Sequence, residues 1–123
     1  MATAEIMSRD WQTFCQKFLE LHRGSLVSIT TIDRGGLKVE VAREMPLKNI
    51  WFEKGACNDS IFINLEQDRQ REINHEVLEP IHIKLREENE GKKALQIDGE
   101  NGSTLLLFHS GRINELMEAL GQK

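Results

Sequence analysis

The spacing of hydrophobic residues along the chain changes twice. Trp11, Phe14, Cys15, Phe18 and Leu19 fall at i, i+3, i+4, i+7 and i+8, the stripe of an amphipathic helix. Ser8 or Asp10 is placed to cap its first turn, and Gly24, after His22 and Arg23, suits the left-handed stop that a residue without a Cβ adopts at low cost. From Ser25 the period drops to 2. Val27, Ile29 and Thr31 share one face, and across the turn Asp33-Arg34-Gly35-Gly36 so do Leu37, Val39 and Val41, which predicts a hairpin.

A third short strand is expected around Ile50 to Glu53, set off from the second by Met45 and Pro46. Ile61, Ile63 and Leu65 then alternate against Phe62 and Asn64, between polar turns. The odd positions Ile73, His75 and Val77, followed by Ile81, Ile83 and Leu85, read as one bent strand running through Pro80. The last two strands, Lys92–Asp98 and Ser103–Phe108, flank an Asn101-Gly102 turn able to supply positive φ. Helical spacing returns at Ile113, Leu116, Met117 and Leu120 after Ser110, predicting a short C-terminal helix.

Strands joined by short turns leave no room for the crossovers that parallel pairing requires. The expected fold is therefore α+β: about seven antiparallel strands, strongly twisted or half-closed into a barrel, with an N-terminal and a C-terminal helix. This element order also resembles the pleckstrin-homology topology. Residues 1–123 are the size of one domain, with residues 1–7 expected as a flexible lead.

Composition narrows the class. Hydrophobic residues are 39% and charged residues 29% of the 123, a balance that fits a globular chain rather than a disordered one. The longest apolar run, Leu105 to Phe108, is too short for a membrane-spanning helix. The N-terminal residues carry no basic and apolar signal pattern, so a cytoplasmic location is the expectation. Two cysteines, Cys15 and Cys57, show no metal or disulfide spacing. Residues 1–60 hold 8 basic and 8 acidic side chains, residues 61–123 hold 8 and 12. That distribution argues against a nucleic-acid partner, which demands clustered Lys and Arg.

Candidate chemistry centres on Ile73–Ile83, where His75-Glu76 is followed by Glu79 at the position of the second histidine of an HExxH zinc motif. That motif needs a helix to put two imidazoles on one metal. Here the second ligand is missing, the segment alternates as a strand, and Pro80 would end a helix. Parity places His75 inward and His82 outward, so no metal and no cofactor is expected. The remaining catalytic candidates are His75 with Glu76, Glu79 or Cys57, each outweighed by an ordinary role: a hydrogen-bonded half-buried histidine, solvated carboxylates, a free thiol. His22 and His109 read as local hydrogen-bonding or surface residues. Trp51 and Phe62 stand out differently. Each lies opposite in parity to its apolar neighbours and so faces away from the main core, to be covered by a terminal helix or to serve a partner.

Trp11 to Ile29, Met45 to Ile50, Asn58 to Leu65, Asn74 to Leu85 and Ala94 to Phe108 together resemble a small bacterial family, domain of unknown function 5335. The resemblance implies a bacterial, stand-alone, single-domain protein and brings no activity, substrate or cofactor. The functional expectation is a non-enzymatic binding or protein-interaction module. It would use an apolar patch at Trp51 and Phe62 to hold a protein partner, a second copy of itself or a small ligand; the alternative is an enzyme centred on His75.

Overall fold

The computed structural model describes residues 3–87 and 92–109. Strands β1 (Thr3–Ile6), β2 (Leu26–Asp33), β3 (Lys38–Lys54), β4 (Asp59–Asp68), β5 (Arg71–Leu78), β6 (His82–Glu87), β7 (Lys92–Gly99) and β8 (Gly102–His109) accompany one helix, α1 (Trp11–His22). The helix begins and ends where the apolar stripe does, entered through a 3-10 turn at Ser8–Asp10 and stopped by Gly24 at φ +85°. The expected C-terminal helix lies outside the described residues.

All eight strands belong to one antiparallel sheet in the order β1-β6-β7-β8-β2-β3-β4-β5. Among the described residues the strands number eight rather than about seven, through three changes. Thr3–Ile6, in the segment expected to be flexible, pair with β6 as an edge strand that buries Ile6. The hairpin strand and the short strand at Ile50 are one 17-residue strand, β3, bent at Glu44 (φ +45°). Its first half pairs with β2 and its second with β4, so a single bent strand turns the sheet from one layer into the other. Conversely, the bent strand through Pro80 is two strands. Glu79 at φ +49° ends β5 at one end of the strand order, and Ile81, expected inside, is exposed at the corner.

The sheet curls without closing. At the Glu79–Ile81 corner it is drawn together: Ile81 N–H donates to Asp98 O, and Glu100 N–H to Leu78 O. Gly99 makes this approach possible, since a Cβ there would sit 2.7 Å from Leu78 O and 2.8 Å from Val77 Cγ1. The other side of β6 is taken by β1, so among the described residues no strand pairs with the outer side of β5. Inward positions of both layers, Ile29, Ile61, Ile63, Leu65, Leu95, Ile97 and Leu106, are fully buried. α1 packs on β3 and completes this core. Phe18 meets Phe108 edge-on at 5.0 Å, Trp11 meets Phe52 at 5.7 Å, and the Trp11 indole N–H donates to Ile6 O. His22 is not a surface residue: it is buried with its ring against Phe18 and Phe108.

Candidate functional sites on and within the sheet

The first candidate is the outer face of β3, β4 and β5. Trp51 on β3 is paired with Phe62 on β4, and their rings stack 4.9 Å apart at 18°. Both are half-buried. Because α1 lies against Phe52, whose cross-strand neighbour Ile61 points into the core, the N-terminal helix is on the opposite face from this pair. Polar contacts surround it. Asn64 donates to Asn74, Lys48 pairs with Glu72, and Ser60 Oγ donates to Glu76 Oε2 at 2.7 Å. The Glu72 carboxylate beside it holds the Lys48 ammonium above its ordinary value. An apolar centre within a polar margin is the anatomy of a contact surface.

The second candidate is a cleft of about 230 Å³ at the end of the half-barrel where β5 approaches β2 and β8. Register explains its chemistry. Ile29, Leu106 and Leu95 form one level of the interior; two residues along come Thr31, Thr104 and Ile97; two further come Asp33, Gly102 and Gly99. The interior thus passes from aliphatic to hydroxyl-bearing to nearly free of side chains within three levels. His75 of β5 reaches across, its Nε2 3.0 Å from Thr104 Oγ1. Burial pushes the imidazole below its ordinary pKa, because the charged form loses solvation there. On the rim, Leu37 N–H donates to Asp33 Oδ1, and the β7–β8 hairpin is braced by Ser103 Oγ donating to Asp98 Oδ1.

The catalytic candidates do not converge. His75 and Glu76 line the cleft, but Cys57 lies in the exposed turn between β3 and β4 and is not among its lining residues. The Glu76 carboxylate is engaged by Ser60. His82 is bonded to Glu5 Oε2 on the exposed surface of β6 and β1. Among the described residues no three His, Cys, Asp or Glu side chains gather as a metal site. Cys15 is buried, and burial pushes its thiol up to about 12, which makes it a poor nucleophile. Thr31, Asp33 and Thr104 had no distinguishing mark in the sequence; only the folded sheet brings them into one cleft with His75.

A model of a family of unknown function, DUF5335, matches residues 2–115. The chain belongs to this family. No curated protein and no solved structure matches it. The match runs through every element described above, so both the Trp51–Phe62 surface and the His75 cleft fall within the DUF5335 region of the chain. No helix of the described residues is long and apolar enough to cross a membrane.

Proposed function

We propose that this DUF5335 protein is a binding module without chemistry of its own, which seats a protein partner on the outer face of β3, β4 and β5. The observation that carries the reading is the stacked Trp51–Phe62 pair, half-exposed on the face opposite α1 and bordered by hydrogen-bonded polar side chains. Aromatic pairs of this kind serve as anchors because they bury a large area with little conformational entropy to lose. A bacterial, cytoplasmic setting is part of the proposal, supported by the two free cysteines and by the bacterial family that the residues resemble. So is the pleckstrin-homology-type likeness: the run β6-β7-β8-β2-β3-β4-β5 follows the cyclic order of an up-and-down barrel. The enzymatic reading centred on His75 has less support, since the Thr104 hydroxyl beside it is buried and, among the described residues, no carboxylate is bonded to the ring to orient it as a base.

The test places a photo-crosslinking side chain at position 62 and, as a control, at Lys17 on α1, in cells producing the protein. Position 62 is expected to give a discrete adduct, to another protein or to a second copy of the chain, that Trp51→Ser abolishes while the thermal midpoint stays within a few degrees. Equal adducts at both positions, or adducts indifferent to Trp51→Ser, refute the assignment of this face.

A further inference from the structure

We propose that the mouth of the half-barrel is a separate binding site for a small organic cation of the aliphatic amine or amino-alcohol class, held by Asp33, Thr31 and the His75–Thr104 pair. The site does not depend on the outer face for its argument. Its size sets the first limit: about 230 Å³ lies below the roughly 300–1,000 Å³ of sites that hold drug-sized ligands. A nucleotide or peptide would not be enclosed.

The lining sets the charge. Asp33 and Glu76 border the cleft, and no lysine or arginine does. With the Glu76 carboxylate turned to Ser60, Asp33 is the lining acid that, among the described residues, no other side chain engages. Its Oδ1 accepts from the Leu37 amide, which fixes the exposed side chain at the rim. An ammonium group is the natural partner for a carboxylate held in this way. His75 spends one ring nitrogen on Thr104, and the other has no hydrogen bond among the described residues. Thr31 stands at the same level as Thr104 in the β2–β8 register and adds a hydroxyl. The remaining wall is aliphatic at Val77, whose Cγ1 lies beside Gly99, suited to the carbon chain of an amine. Gly99 and Gly102, at the outermost level, put no side chains into the entrance. An anion would meet Asp33 directly, and a purely apolar ligand would strand the hydroxyls and the imidazole.

The test is an NMR titration of the full chain, following backbone amides, with ethanolamine and putrescine as probes and glycerol and acetate as controls at matched ionic strength. Both amines are expected to give saturable shifts grouped at Thr31, Asp33, His75, Gly102 and Thr104. Asp33→Asn, which keeps the Leu37 contact, should weaken them about tenfold, as loss of a charge-assisted hydrogen bond does. Thr31→Val, similar in shape, should weaken ethanolamine more than it weakens putrescine if its hydroxyl meets the ligand hydroxyl. Glycerol binding as well as ethanolamine would overturn the cationic assignment. An absence of saturable shifts, or amine shifts unchanged by Asp33→Asn, would overturn the site.

Discussion

At the scale of single residues, His75 shows how a feature that looks catalytic in one dimension becomes a packing problem in three. Parity correctly pointed it inward, but not at what. In the structure it meets Thr104 across the half-barrel, and burial lowers its pKa. The sign of the consequence follows. A histidine whose folded pKa lies below its unfolded value is charged more readily in the unfolded chain, so its contribution favours the fold above the ordinary value of 6.5 and is lost as pH falls through that value toward the folded pKa. Urea unfolding of the protein and of His75→Gln at pH 8, 6 and 5 should show a shallower loss of stability on acidification in the variant. Identical pH slopes would mean that the His75 environment does not couple to folding. The Trp51–Phe62 pair was equally legible by parity. That α1 takes the opposite face was not, because its side depends on the direction in which β3 bends.

At the scale of elements, period-2 alternation found the strands other than β1, but not their joins. β3 was read as two strands because Met45-Pro46 resembles a break. In the structure Pro46 lies in β3 opposite Leu26, and the bend sits just before it, at Glu44. There the Glu44 N–H donates to Ser28 Oγ on the neighbouring strand, which satisfies an amide that the irregular pairing would otherwise leave open. A left-handed non-glycine residue costs about 1–2 kcal/mol, against the roughly 0.5–1 kcal/mol of extra entropy that a glycine loses on folding. Glu44→Gly should therefore be neutral to stabilising by up to about 1 kcal/mol, whereas a β-branched Glu44→Val should destabilise the protein. Thermal melts of the two variants decide it, and a strongly destabilised Glu44→Gly would mean that the Glu44 side chain itself holds the bend. The opposite error, joining β5 to β6, arose because their inward positions are all odd-numbered and so looked continuous through Pro80. Alternation carries no information on whether two strands are neighbours.

At the scale of the whole molecule, the half-barrel is held together at one end by the contact between the β7–β8 hairpin and the end of β5. Gly99 is the residue that permits it. Gly99→Val would drive side-chain atoms into Leu78 O and Val77, at an expected cost of about 1–3 kcal/mol. Hydrogen exchange should then speed up in β5 and at the Glu79–Ile81 corner, with β2 and β8 less affected, because those two are hydrogen-bonded on both sides. Uniform acceleration across all strands would show instead that the corner is not a separable closure. The cleft depends on the same contact, so widening the corner should also loosen the geometry between His75 and Thr104.

By itself the sequence determined the local periods: one amphipathic helix ahead of a set of strands, and in most of those strands which residues enter the core. These follow from side-chain alternation, which acts over a few residues and is written directly in their order. Only the tertiary structure decided that Thr3–Ile6 close against β6, that β3 is a single bent strand joining two layers, and that His75 meets Thr104 in a cleft that Thr31 also lines. Those outcomes depend on register and curvature, set by contacts between residues as far apart as Thr3 and Arg86, and no local pattern encodes them.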